Sequence, residues 1–237
     1  MIDTILLDMD GTLLPVENGA FTRTYFKLLC AKVAPHGFAP EDFMRGLKYG
    51  MAFMVKNDGS RTNCEAFWDG FTQLLGTDAR RIEPVCDEFY SGEFNKTREL
   101  LGINVNRRAL IEMLRAKGYR LVLANNPMLP APGTRSRLGW LELSPDDFDL
   151  VTDYGNCTYC KPALGYYREI LAKIGRAPEQ CLMVGNSLTD DACAAHLGCE
   201  VYIVADALEG DPAQLGNYRH GSFADFEAFA QALPALR

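Results

Sequence analysis

From about residue 98 onward the chain repeats one pattern: helix-spaced apolar residues, a glycine, then a short apolar run. Residues 107–117 read as a helix, Gly118 stops it, and 119–124 read as a strand. The pattern returns as helix 162–174, Gly175 and strand 181–184, and again as helix 188–197, Gly198 and strand 200–204. Glycine just past a helix end is the expected stop signal. Short apolar runs alternating with helices predict a parallel sheet covered on both faces. Residues 148–152 and 4–8 add strands, so at least five are expected, and a last helix over 223–233 packs back on the core.

The first strand ends in Ile5-Leu6-Leu7-Asp8-Met9-Asp10-Gly11-Thr12-Leu13. On an extended backbone, residues two apart point the same way, so Asp8 and Asp10 can face one site. The C-terminal strand ends of an open α/β sheet are where ligands bind. Two convergent carboxylates suit a hard cation such as Mg²⁺, or a nucleophile beside a general acid. The plain alternative is a strand that ends in a turn-forming Asp-Gly.

Residues 16–97 differ. They lack β runs and carry apolar residues at helical spacing over 21–33, 41–55, 63–75 and 78–94, with Pro84 expected to break or kink the last. Eighty residues of helix are too many for a simple crossover. The expected layout is an α/β core made of 1–15 and 98–237 with a helical cap over 16–97 inserted into it. Hinges are expected near 15–19 and 96–102.

A net charge of −7 without a basic block argues against nucleic acid or an anionic membrane as partner. No apolar run approaches the roughly 20 residues of a membrane span, and Asp3 and Asp8 interrupt what would be a signal peptide. A cytoplasmic protein, monomeric or homodimeric, is expected. The eight cysteines are scattered and read as buried reduced thiols; Cys157 and Cys160 form a lone C-x-x-C without further zinc ligands nearby, leaving a redox pair as the minor alternative.

The Asp8-Met9-Asp10-Gly11-Thr12 run followed by a helical insert resembles the haloacid dehalogenase (HAD) superfamily, in particular members with a helical cap after the first strand. Three further motifs follow in that family's order. Strand 121–124 runs into Asn125-Asn126-Pro127, with Asn125 where the family has Ser or Thr. Lys161 precedes Pro162 at a helix start. Strand 181–184 runs into Gly185-Asn186-Ser187-Leu188-Thr189-Asp190-Asp191, with Asn186 where Asp is usual.

The resemblance implies a Rossmann-like core and a Mg²⁺-dependent phosphohydrolase acting on a small phosphorylated metabolite. Asp8 would form an aspartyl-phosphate, and Asp10 would protonate the leaving oxygen and then deprotonate water. Lys161 would hold Asp8 and neutralise phosphate charge, and Asn125, with Met9 and backbone N–H groups near Asn126, would cradle phosphate. Asp8, Asp10 and Asn186 would hold Mg²⁺, with Asp190 or Asp191 holding its waters. Dehalogenating members lack the second aspartate, because a halide leaves without a proton. A weakened binding or regulatory protein on the same scaffold is the alternative, favoured by the two asparagine replacements. Lys48, Lys56 and Arg61 are the insert's candidate substrate contacts.

Overall fold

The computed structural model describes residues 1–236. Six strands occur in chain order: β1 (Thr4–Leu7), β2 (Arg120–Leu123), β3 (Leu150–Val151), β4 (Cys181–Gly185), β5 (Glu200–Val204) and β6 (Arg219–Gly221). They form one parallel sheet in the order β3-β2-β1-β4-β5-β6. β1 is central and buried along its whole length, as its uninterrupted apolar run requires. The strand order reverses beside β1, where a crevice opens at the carboxyl ends.

The pleat sends alternate side chains to opposite faces. Ile5, Leu7, Leu121, Leu123 and Val184 join one core with α6 (Arg108–Ala116) and α9 (Phe223–Ala232). Leu6, Val122, Met183 and Ile203 join the other with Tyr166, Ile170 and Leu171 of α8 (Leu164–Ile174). The glycines at 118, 175 and 198 all have positive φ, the backbone state for which glycine ends a helix.

Between β1 and β2 lie α1 (Asn18–Val33), α2 (Pro40–Val55), α3 (Asn63–Leu75), α4 (Glu83–Ser91) and α5 (Lys96–Leu100). Thr62 and Glu65 close a capping box that starts α3. Side-chain-free positions let α2 and α3 approach closely: a Cβ on Gly50 would lie 2.7 Å from the Phe67 ring. The aromatic cluster of this segment, including Phe21, Tyr25, Phe71 and Phe94, is continuous with the α6/α9 face of the sheet.

Several elements differ from expectation. Residues 78–94 do not form one helix. A 3₁₀ stretch over Thr77–Ile82 gives way to α4 at Glu83, with Pro84 in the first turn, where its missing N–H costs nothing. The expected hinge at 96–102 is largely helical, as α5. The helix expected over 188–197 reduces to a 3₁₀ segment, Ala192–Leu197. α7 (Ala131–Trp140) and β6 were not expected at all. No helix of the described residues is long and apolar enough to cross a membrane.

Candidate active site

Three neighbouring strands, β2, β1 and β4, deliver Asn125, Asp8 and Asn186 to one place. The sheet ladder runs on past β1: the Asp8 N–H donates to the Val184 carbonyl, and Ala124 N–H to the Leu7 carbonyl. Asp8 is thereby fixed by backbone on both sides. Lys161, just before α8, reaches over it. Its ammonium lies 2.8 Å from Asp8 Oδ1 and 2.6 Å from Asp191 Oδ1, and all three side chains are buried. Burial works against the Lys161 charge, but Asp191 and Asp8 outweigh it and keep the amine protonated.

One ammonium does not satisfy two buried carboxylates. Burial pushes Asp8 up to about 7 despite Lys161, and Asp191 adds to the rise. The Asp191 carboxylate also accepts from the Ser187 N–H at 2.9 Å, which ties the chain after β4 to the lysine. Burial likewise raises Asp190, against the pull of Lys161. The Asp190 carboxylate accepts from Asn126 Nδ2 at 3.3 Å.

Gly11 turns the chain away from Asp8 at φ +80°, and a Cβ there would lie 2.3 Å from Asn186 Nδ2. The turn lets Thr12 Oγ1 donate toward Asp8 Oδ2, at 3.2 Å, and toward Asn186 Oδ1, at 3.3 Å. Asn186 Nδ2 donates to the Ala207 carbonyl at 2.6 Å. An aspartate at 186 would place oxygen against that carbonyl, which accounts physically for the asparagine. Among the described residues the Asn125 carboxamide makes no protein hydrogen bond. Its backbone carbonyl is held by the Tyr166 and Thr152 hydroxyls, each at 2.7 Å.

These groups line a cavity of about 180 Å³ under α1 and α2. Asp8, Asp10, Asn125, Asn126, Lys161, Asn186, Asp190 and Asp191 all border it. Met9 does not: its side chain is fully buried in the core, and its carbonyl accepts from Thr12 and Leu14 N–H within the turn. Lys48, Lys56 and Arg61 do not reach the cavity either. Lys48 lies in an outer groove beside Met44, Lys56 is exposed at the end of α2, and Arg61 pairs with Asp69. Lys48 is turned outward by its phase on α2, and Lys56 and Arg61 lie in the exposed loop between α2 and α3.

The residue that sequence reading missed is Arg137. It is almost completely buried on α7 and forms an ion pair with Asp10 Oδ2. Asp10 Oδ1 is buried and has no hydrogen-bond partner. Nothing in Ala131-Pro132-Gly133-Thr134-Arg135-Ser136-Arg137 marks a helix, so no periodicity singled out the arginine. Glu209 was missed as well. It borders the cavity and accepts from Asn18 Nδ2 at 2.5 Å, joining the start of α1 to the loop after β5.

A haloacid dehalogenase-like hydrolase model matches residues 2–198. The chain belongs to the haloacid dehalogenase-like hydrolase family. None of the curated proteins compared matches it significantly. Among solved structures it is similar to a HAD phosphatase from Thermococcus onnurineus, with 18% identity, TM-score 0.61, and 99% and 100% of the two chains covered. It is equally similar in fold to the 2-haloacid dehalogenase of Pseudomonas syringae pv. Tomato DC3000, with 20% identity, TM-score 0.61, and 96% and 97% covered. At these identities the likeness is one of fold, and this HAD-like chain has relatives of both chemistries.

All eight thiols are free. Burial pushes both Cys157 and Cys160 up to about 12, where little thiolate exists at neutral pH. Iodoacetamide at pH 8 is therefore expected to leave both unmodified in the native protein, as read by peptide mass. Fast labelling of the pair would reveal a reactive dithiol instead.

Proposed function

We propose that the chain is a phosphate-monoester hydrolase that uses a divalent cation, with Asp8 as nucleophile. The observation that carries this reading is Asp10 at the cavity wall, two residues past Asp8, with a buried Oδ1 that no protein group among the described residues takes up. An alkoxide leaving group needs a proton and a halide does not. An Asp8 oxygen attacks phosphorus, the ester P–O bond breaks, and Asp10 gives its proton to the departing oxygen. Water then attacks the aspartyl-phosphate, returns a proton to Asp10, and inorganic phosphate leaves with Asp8 regenerated. Lys161 aligns Asp8 and offsets phosphate charge, Asn125 supplies an amide donor, and Arg137 fixes the orientation of Asp10.

The donor set fits a hard cation. Five carboxylates border the cavity (Asp8, Asp10, Asp190, Asp191 and Glu209) against two cations, both already paired. A phosphate dianion entering that field would be repelled unless further positive charge were present. Among the described residues no three His, Cys, Asp or Glu converge as a metal cluster, so the ligands would be mixed: the Asp8 carboxylate, the Asp10 backbone carbonyl and the Asn186 amide oxygen. When bound, Mg²⁺ would neutralise charge on the transferring phosphoryl oxygens.

The test is release of phosphate from a panel of monoesters with Mg²⁺ and with chelator, beside release of halide from 2-chloropropionate. Phosphate release that stops on chelation is expected. Halide release alone would replace the reading with dehalogenation; neither product, with ligand binding retained, would leave a binding protein. Saturating Mg²⁺ is also expected to raise the melting temperature by about 5 °C or more, and Asp8→Asn to reduce that shift.

A further inference from the structure

We propose that the substrate is the monophosphate of a short, neutral, apolar alcohol whose hydrocarbon body occupies a second chamber beneath the helical insert. The inference rests on the phosphohydrolase reading. It starts from a cavity of about 50 Å³ that adjoins the catalytic one and shares four of its wall residues, Tyr25, Met51, Met128 and Leu129. The group esterified to a phosphate at Asp8 would enter it between these four side chains.

The chamber is walled by aromatic and aliphatic side chains, among them Leu29, Phe43, Leu47, Phe67, Phe71 and Tyr90. Among the described residues no Lys, Arg or His lines it, and its one charged wall residue is the carboxylate Asp87. The insert side of the catalytic cavity carries no charge: Asn18, Phe21, Thr22, Tyr25 and Met51. The two cations at the site are committed, Lys161 to Asp8 and Asp191, and Arg137 to Asp10. A leaving group bearing a carboxylate or second phosphate would find no counter-charge. The carboxylates that surround the site would oppose it.

Trp68, which is buried, and Tyr154 both line the chamber, and Tyr154 is a polar partner for the indole. The space accommodates roughly four or five carbon-sized groups, which limits the alcohol to a short or branched chain. Sugars are disfavoured because their hydroxyls would meet mostly hydrocarbon.

The experiment compares kcat/KM of the full-length Mg²⁺-loaded protein for 3-methylbutyl phosphate, ethyl phosphate, glycerol 3-phosphate and 2-phosphoglycolate. At least a 100-fold preference for 3-methylbutyl over ethyl phosphate is expected, since each buried methylene is worth roughly tenfold or more. Equal or better turnover of glycerol 3-phosphate or 2-phosphoglycolate would overturn this inference while leaving the phosphohydrolase reading intact. Hydrolysis of no monoester would overturn both. Leu47→Trp, which fills the chamber, is expected to remove the preference by lowering kcat/KM for 3-methylbutyl phosphate at least 100-fold; a folded variant that keeps the preference would count against the chamber. Competitive inhibition by n-alkylphosphonates gives a second readout on the unmodified protein. Inhibition constants should fall with chain length up to about five carbons, and a series insensitive to length would overturn the inference.

Discussion

Asp8→Asn is expected to abolish phosphate release, by at least about 10⁴-fold, without unfolding the protein. The substitution is isosteric and keeps one oxygen acceptor, for Lys161, while its amide nitrogen can donate to the Thr12 hydroxyl. It removes the attacking carboxylate and also a charge that burial disfavours, since the Asp8 group rises to about 7 in the folded state. Lys161 keeps Asp191 as its partner. The melting temperature of the variant in chelator at pH 7.5 should equal or exceed that of the parent. Phosphate release above a hundredth of the parental rate, from a variant verified by mass, would remove Asp8 from the role of nucleophile.

Lys161→Met carries the largest expected cost in stability. It leaves Asp8 and Asp191 buried beside each other without a counter-ion. Removing one partner of a buried ion pair costs about 3–5 kcal/mol. The sign with pH follows from Asp8. Asp8, already raised by burial, would lose the opposing Lys161 charge and titrate higher still in the folded variant than in the unfolded chain, so the folded state holds more protons at mid pH. Stability is then greatest below the unfolded carboxylate value near 4 and is lost as pH rises through the folded value. The deficit relative to the parent should shrink from pH 7.5 to pH 5. Urea titrations at the two pH values read this directly; equal stability of parent and variant at pH 7.5 would show that the lysine is not the counter-ion.

The strands that hold the site were legible because each is an apolar run stopped by a polar residue type. β1 stops at Asp8, β2 runs to Asn125, and β4 stops at Asn186. Burial on both faces leaves no other composition open to a central parallel strand. Asp8, Asn125, Lys161, Asn186, Asp190 and Asp191 could be named in advance and lie around one cavity. What sequence could not carry was the partner of Asp10. α7 opens with Ala131-Pro132-Gly133, which reads as a turn although proline is well tolerated in a first helical turn. With the helix unseen, the direction of Arg137 could not be read. β6 (Arg219-His220-Gly221) escaped for a different reason: an edge strand needs no apolar pattern, and its arginine and histidine are exposed. The insert's lysines and arginine misled because charge count carries no information on which way a side chain points; Phe21, Tyr25 and Met51 face the cavity instead.

The sheet order has an evolutionary reading. β1 and β2 are hydrogen-bonded neighbours, yet all of α1 to α5 lies between them in the chain. The segment leaves and re-enters at adjacent strands, so its length and contents can change without moving the register of any strand. Under the proposed chemistry, Asp8, Asp10, Asn125 and Lys161 lie outside that segment, whereas most of the apolar chamber's walls lie within it. Variation between residues 18 and 100 can therefore retune which alcohol is accepted while the apparatus for breaking the ester bond is inherited intact.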